Sequence, residues 1–256
     1  MFRSIALNTD AMVMHGLSVY EQHPDRIVMR TPSEPGFWSG NSVIYRAVDD
    51  PLAQVLRFER DFPDADHVTV LWDVPNLIIS PALGSEFVVT PLEVLTCNGP
   101  IPARDAPDGI VLRALDGDTD WAQLAVLQSE VALDEGYDMA VHMPYLARRN
   151  AARRKQIALG QGQWFGAFDG DLIVGTMGMY LNAQFARYQS VETKKSHRRR
   201  GICAALLAYV SGWAQRQQPS ALQVIETEAK SDAGRLYAAV GFAPTETLIE
   251  ASKRGY

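Results

Sequence analysis

Apolar and polar positions alternate most regularly in the second half of the chain. Strands are predicted there at residues 109–114, 163–168, 172–180, 187–193, 221–227 and 243–251. Apolar spacing of three and four residues predicts helices from a cap at Asp118 or Thr119 to Val131, and over 144–159, 202–216 and 232–240. Residues 169–171, Asp-Gly-Asp, are typical of a hairpin turn. The order β-α-α-β-β-β-α-β-α-β predicts an α/β fold with a mixed sheet flanked by helices.

The first hundred residues show a less regular pattern. Strands are predicted at 41–46, 67–72 and within 86–96, and a helix over 51–62 with proline at its first position. Residues 99–108 are rich in glycine and proline and form the predicted linker. We therefore expect a smaller α/β lobe over 1–105 and a second domain over 106–256.

A faint internal repeat places residues 67–95 over 222–250 without a gap. It indicates that the first lobe is a degenerate copy of the second domain. Chance similarity between two α/β segments is the alternative explanation.

Composition narrows the class of protein. Net charge is −6 and no apolar run approaches the roughly 18–20 residues that span a bilayer, so neither a nucleic-acid-binding surface over the whole chain nor a membrane anchor is expected. The start of the chain lacks the apolar region of a signal peptide, and the two cysteines give no disulfide framework. The five histidines have no metal-ligand spacing. We expect a cytoplasmic protein without a metal.

The segment 198–204, Arg-Arg-Arg-Gly-Ile-Cys-Ala, joins a predicted strand to a predicted helix. Free amides at a helix N-terminus favour an anion, and Gly201 permits a tight turn without a side chain that blocks approach. A pyrophosphate is the expected ligand. The alternative is a basic patch over 194–200 that binds nucleic acid.

Two motifs together carry a family resemblance. Arg198, Gly201 and Cys203 match the Gln/Arg-x-x-Gly-x-Gly/Ala signature of the GNAT acetyltransferases, with cysteine in the usual Gly/Ala position. Residues 233–242 match the pattern Ala-x-x-Leu-Tyr-x-x-x-Gly-Phe of the same family. The resemblance covers about residues 109–251. Residues 35–42, 58–63 and 67–73 further resemble a two-lobed group of GNAT-like proteins whose first half is degenerate.

The resemblance implies acetyl-CoA as donor, bound through the backbone amides of 199–204, with residues 191–193 beside the pantetheine. Tyr237 would protonate the leaving thiolate. Many members have asparagine at the position of Lys230, so Lys230 or Ser231 would contact a phosphate. The implied cofactor-binding residues are Val191, Glu192, Thr193, Arg198, Arg199, Arg200, Gly201, Ile202, Cys203, Ala204, Lys230, Ser231 and Tyr237.

Acetyl transfer to an amine needs a neutral nitrogen, and a carboxylate that removes its proton accelerates the reaction. Glu192, Glu226 and Glu228 lie on the two relevant strands. Each is more typical of a solvated charge at a strand edge, and Glu226 is preferred as base because it lies near the expected divergence of the strands. Cys203 is expected to be a small packing residue.

We therefore expect an N-acetyltransferase that acts by direct transfer on a primary amine, most simply a small molecule. The alternatives are an acyl-CoA-binding module without catalysis and a nucleic-acid-binding protein that uses residues 194–200. The first lobe is expected either to cover the acceptor site or to be purely structural. Self-association into a homodimer is left open.

Overall fold

A computed structural model of the protein describes residues 2–77 and 83–254. The strands of these residues are β1 Val19–Gln22, β2 Arg26–Arg30, β3 Ser42–Tyr45, β4 His67–Trp72, β5 Val88–Cys97, β6 Ile110–Ala114, β7 Gly162–Asp169, β8 Leu172–Leu181, β9 Phe185–Thr193, β10 Leu222–Glu228 and β11 Ala243–Arg254. The helices are α1 Ile5–Val13, α2 Pro51–Leu56, α3 Phe58–Asp61, α4 Gly117–Asp134, α5 Met139–Ala158, α6 Ile202–Gln217 and α7 Asp232–Val240.

The chain divides into two units whose segments interleave along the sequence. The first unit takes residues within 1–95, 226–235 and 244–256. Its strands lie in the order β1, β2, β3, β4, β11, β5. The parallel pair β3–β4 places Val43 opposite Val70, and the antiparallel pair β4–β11 places Val70 opposite Ala251. The last strand of the described chain therefore completes the sheet of the first unit.

The core of the first unit forms where α2 and α3 cover β3 and β4. It is built from aromatic and β-branched side chains: Val28, Val43, Tyr45, Val55, Phe58, Phe62, Val68, Val70, Trp72, Phe87, Ile249 and Ala251. Strand β4 is buried at every position, including the polar residues His67 and Thr69, so its burial does not alternate along the strand.

The second unit takes residues 96–225 and 236–243. Its strands lie in the order β10, β9, β8, β7, β6. β6 to β9 form an antiparallel meander, and β9 runs parallel to β10, with Ala186 opposite Gln223. A parallel pair needs a crossover, which α6 supplies, and α4 and α6 pack against β8. The predicted α/β class with a mixed sheet flanked by helices is confirmed.

Strand β9 contains a bulge. Glu192 lies opposite Thr176 while Gln189 lies opposite Gly178, so the β9 side has one residue more than the β8 side between these pairs. Within that interval Ser190 has φ of 48°, a left-handed conformation that is uncommon for residues other than glycine. The bulge changes which side chains of β9 share a face, and it places Glu192 on the face of Gln189.

Most predicted elements of the second half are confirmed, including the hairpin turn, where Gly170 has φ of 58°. Three predicted helix bounds are wrong. The second helix begins at Met139 and not at residue 144, because Asp138 caps it through the Ala140 amide at 2.9 Å and the proline lies inside. The preceding helix begins at Gly117 after Asp116, not after Asp118 or Thr119. The helix predicted over 51–62 is two helices that meet at Arg57.

None of the helices in the described residues is both long enough and apolar enough to cross a bilayer.

Candidate active site

The turn before α6 has backbone amides that no helical hydrogen bond uses. Arg199 and Gly201 both have positive φ, 63° and 83°. A Cβ on Gly201 would find only one atom within 4.0 Å, Cγ of Pro107, so this side of the turn is uncrowded. The Gly201 carbonyl accepts from the Ala205 amide at 3.0 Å, and helix geometry leaves the amides of 202–204 without an intrahelical acceptor. The turn has the geometry of an anion site.

Side chains behind this turn hold it in place. Ile202 and Ala204 are buried, and the Arg198 guanidinium donates through Nε to the Thr193 carbonyl at 3.0 Å. Most of the other cations between 194 and 200 have acidic neighbours in the same unit: Lys194 with Glu130 at 3.0 Å, Lys195 with Asp134 at 3.2 Å, and His197 and Arg200 with Asp169 at 3.2 and 3.9 Å. Part of the positive charge of this segment is therefore balanced by carboxylates of the same unit.

Tyr237 is buried on α7, and its ring packs against Phe242 with centroids 6.4 Å apart. Burial raises the pKa of the Tyr237 phenol, an effect that Cys203 reinforces and Arg187 opposes. Burial also raises the pKa of the Cys203 thiol to about 12, so this thiol stays protonated. Gly241 ends the helix with φ of 123°, and the Phe242 amide donates to the Tyr237 carbonyl at 3.1 Å.

Glu192 is half-buried at the end of the bulged strand, with one carboxylate oxygen shielded from solvent, so the expectation of a fully solvated charge there is wrong. Its Oε2 atom is shielded from solvent and has no hydrogen-bond partner in the described residues, and Gln128 donates to the carboxylate. Burial raises the pKa of Glu192 to about 7, against the opposing effects of Arg153 and of the Gln128 hydrogen bond. A carboxyl group that titrates near neutral pH suits a general base.

A buried polar cluster of α4 and α5 contacts the bulge of β9, two residues before Glu192. Arg153, which is 7% exposed, donates through Nη1 to Asn150 Oδ1 and through Nη2 to Ser190 Oγ, both at 2.8 Å. Its guanidinium also lies 4.5 Å from the ring centroid of Trp164. Asn150 in turn donates to Gln128 Oε1 at 3.0 Å. The cluster links the helix pair to the bulge of β9.

Three of the predicted site residues belong to the first unit. Ser231 Oγ accepts from the Gly234 amide at 3.0 Å and lies 3.0 Å from Thr227 Oγ1, so it caps α7. Lys230 is exposed with φ of 63°. Glu226 is half-buried, and together with Glu228 it adds to the effect of burial that raises the pKa of Glu250 to about 7.

Comparison with known proteins agrees with this geometry. Residues 133–253 match the model of the acetyltransferase (GNAT) domain. These residues form a GNAT domain. Acyl transfer is the activity of that family, and the protein is accordingly an acyltransferase.

Solved structures similar to the chain extend beyond the GNAT domain. A functionally unknown conserved protein of Staphylococcus epidermidis is 13% identical, with a TM-score of 0.70 over 92% of this chain and 93% of its own. A GCN5-related N-acetyltransferase of Sphaerobacter thermophilus is 20% identical, with a TM-score of 0.62 over 96% and 84%. One of Kribbella flavida is 15% identical, with a TM-score of 0.62 over 99% and 97%. A search of curated protein sequences finds no match.

The second unit of the structure brings together the predicted loop, Tyr237 and residues 191–193 of the GNAT domain. Val191 and Thr193 are half-buried there. Sequence reasoning missed Gln128, Asn150 and Arg153. Their signal was weak, since α5 is rich in basic residues and such helices are usually exposed. The spacing of Asn150 and Arg153, three residues apart on one face, was the only hint.

Proposed function

We propose that this acyltransferase moves the acetyl group of acetyl-CoA directly to a primary amine, with Glu192 as general base and Tyr237 as general acid. The observation that carries the proposal is the shielded Oε2 atom of Glu192, which has no hydrogen-bond partner in the described residues and lies on the strand that leads into the turn before α6. Burial raises the pKa of this carboxyl to about 7, which suits a base. Glu192 replaces Glu226 as the preferred base, because Glu192 has a shielded carboxylate oxygen without a partner in the described residues.

The residues around the turn fit the donor. Amides 202–204 would bind the pyrophosphate, and the exposed Arg199 and Arg200 add positive charge near it. The absence of a side chain at Gly201 leaves room for a phosphate to approach. The Ser231 hydroxyl is engaged as a helix cap, and a phosphate contact of Lys230 stays a prediction.

The proposed step balances as follows in atoms and charge. The Glu192 carboxylate takes a proton from the ammonium form of the acceptor, and the neutral nitrogen attacks the thioester carbonyl carbon. The C–N bond forms, the C–S bond breaks, and Tyr237 gives its phenolic proton to the departing sulfur. The nitrogen then loses a second proton to solvent, and solvent returns a proton to the Tyr237 phenolate. The products are the N-acetyl amine, free CoA thiol and one proton held by Glu192.

The bulge of β9 gives a physical reason for placing the thioester carbonyl there. A bulge leaves a residue outside the regular ladder, so a backbone amide becomes available to the oxyanion of the transition state. Removing one such donor typically costs about 10²–10³-fold in rate. We assign this part to the Ser190–Val191 segment.

The nucleic-acid alternative is disfavoured by the ion pairs of residues 194–200. Three cations of this segment, Lys194, Lys195 and Arg200, have carboxylate neighbours within 4.0 Å. Neutralised cations release few counterions from a phosphate backbone, which weakens that mode of binding.

Domain boundaries, acceptor class and location complete the proposal. A GNAT-like origin of the first lobe and the boundary between 105 and 106 stay predictions, as do the cytoplasmic location, the absence of a metal and a homodimer.

The α-helix pair α4 and α5 borders the proposed base, so a small-molecule amine would enter past these helices.

The test begins with calorimetric titration of the protein with acetyl-CoA, followed by release of free thiol in the presence of panels of primary amines. We expect stoichiometric binding and amine-dependent thiol release. Binding without release for any amine would favour the acyl-CoA-binding alternative. A folded protein that does not bind acetyl-CoA would overturn the proposal.

A further inference from the structure

Arg153 has an unusual environment for an arginine. It is buried on α5, and its two terminal nitrogens donate to neutral groups, Asn150 Oδ1 and Ser190 Oγ, at 2.8 Å. The ring of Trp164 covers the guanidinium at 4.5 Å. Buried charges are usually paired, and Arg153 forms no ion pair in the described part of the chain. The positive charge of this guanidinium is thus not balanced by a paired carboxylate, and it can act electrostatically on a neighbouring group.

That neighbour is Glu192. We propose that Arg153 positions the base of the reaction: its guanidinium holds the bulge of β9 through Ser190 and places a positive charge beside the Glu192 carboxylate. This inference rests on the proposed function, in which Glu192 accepts the proton. Arg153 touches neither reactant in this assignment and acts through the other two residues.

The mechanical part of the inference follows from Ser190. Its φ of 48° is a conformation that an L-residue adopts only when its surroundings enforce it. The hydrogen bond from Arg153 ends on the hydroxyl of this same residue. Glu192 follows two residues later, so the conformation of Ser190 determines where the strand places the carboxyl group.

The electrostatic part follows from the charged groups that face Glu192. Arg153 on α5 is the positive one and lowers the carboxyl pKa, while Glu135 at the end of α4 raises it and Gln128 donates a hydrogen bond. Across the ladder lies the neutral Thr176. Burial lowers the pKa of the Arg153 guanidinium, and the positive charge of Arg149 lowers it further. Without the Arg153 charge, burial and Glu135 would raise the carboxyl pKa against the Gln128 hydrogen bond alone.

The two parts are separable by substitution. Arg153→Met removes the charge and the hydrogen bonds, whereas Arg153→Lys keeps the charge but cannot reproduce the fork that reaches both Asn150 and Ser190. Ser190→Gly keeps the charge, tolerates positive φ and removes the side chain on which the Arg153 hydrogen bond ends. The matched control is Arg154→Met, the adjacent arginine of α5, which is half exposed and pairs with Asp118 at 2.7 Å.

Two measurements are made on each folded variant. Carbon-13 NMR follows the titration of the Glu192 carboxyl, assigned by its disappearance in Glu192→Gln. Thiol release with the best amine gives kcat, KM and their dependence on pH. Circular dichroism identifies any variant that does not fold. If Arg153→Met does not fold, Ser190→Gly and Arg153→Lys are used to test the inference.

We expect Arg153→Met to raise the titration midpoint by about one pH unit or more and to move the acid limb of kcat/KM upward by the same amount. Arg153→Lys and Ser190→Gly should keep the midpoint and lower kcat roughly 10–100-fold at unchanged acetyl-CoA affinity. Arg154→Met should resemble the native protein.

An unchanged midpoint and pH profile in folded Arg153→Met, or native kcat in both Arg153→Lys and Ser190→Gly, would overturn the inference. If the native protein acetylates no amine but the NMR midpoint shifts as expected, the proposed function fails while the placement of the charge beside Glu192 stands.

Discussion

At the scale of single residues, the Glu192 carboxyl is about half ionised at neutral pH because burial raises its pKa to about 7. Only the ionised form accepts a proton, so the rate should rise with pH through this value. Glu192→Gln should lower kcat/KM by about 10²–10⁴-fold, remove this limb of the pH profile and leave acetyl-CoA binding intact. Thiol release between pH 5 and 9 and calorimetry check both statements; a variant with native rates would exclude Glu192 as the base.

Tyr237 gives a second prediction at this scale. Burial keeps its phenol protonated far above neutral pH, which suits a proton donor to a thiolate. Tyr237→Phe keeps the ring that packs against Phe242 and removes the hydroxyl alone. We expect kcat to fall by about 10²-fold with little change in the affinity for acetyl-CoA. An equal loss of binding and turnover would instead indicate a role in holding the donor.

At the scale of an element, the start of α6 depends on the backbone of Gly201. Its φ of 83° costs an alanine about 1–2 kcal/mol, although space for a methyl group is available. Gly201→Ala should therefore shift the turn and weaken acetyl-CoA binding by about tenfold or more. Gly160, at the end of α5, has φ of 76° and open space where a methyl group would lie, so it supplies the matched control. Gly160→Ala should cost similar stability and leave binding unchanged.

At the scale of the whole molecule, two half-buried carboxyls make stability depend on pH. Burial raises the pKa of Glu192 and of Glu250 from 4.5 to about 7. Between pH 4.5 and pH 7 the folded chain binds more protons than the unfolded chain. The stabilisation contributed by the two protonated carboxyls is therefore complete below about pH 4.5 and is lost as pH rises through 7. The loss is on the order of 2 kcal/mol for each carboxyl.

The variant Glu192→Gln/Glu250→Gln carries neutral amides at both positions and should lack this loss. Its urea midpoint relative to the native protein should therefore rise between pH 5 and 8 and then stay level. A constant difference across that range would show that the two carboxyls titrate normally in the folded state.

The first unit provides another prediction at the same scale. Residues 1–105 alone lack β11, which pairs along β4 and adds Ile249 and Ala251 to the core. We expect this fragment to unfold without a cooperative transition in urea. Joining residues 243–254 to it through a glycine–serine linker should restore part of the cooperativity. A cooperatively folded fragment 1–105 would instead support the boundary predicted at 105.

Local patterns were sufficient for most elements but not for the cluster beside the base. The hairpin around Gly170 and the glycine turn before α6 depend on neighbouring residues, and sequence alone predicted both. The start of α5 was missed because Pro144 is favoured in a first helical turn, whereas Asp138 caps a helix that begins at Met139, five residues before the predicted start. The burial of Glu192 depends on α4 and α5, which are distant in sequence.

The bulge of β9 explains why strand periodicity alone could not predict the face on which Glu192 lies. Regular alternation would put Ser190 and Glu192 on one face, but the extra residue changes the faces between Gln189 and Glu192. No pattern in residues 185–193 announces a positive φ at Ser190. The role of Arg153 could not be predicted either, because its burial depends on a partner, Ser190, that only the tertiary fold brings close to α5.

The place of β11 in the first unit has a consequence during synthesis. A ribosome adding about 5–20 residues per second needs roughly 10–30 s to proceed from β5 to the end of β11. Throughout that interval the apolar strand β4 lacks the neighbour that pairs with Val68 and Val70. The nascent chain therefore exposes an unpaired strand edge for many seconds, and holdase chaperones that recognise extended apolar segments have time to bind it before the sheet closes.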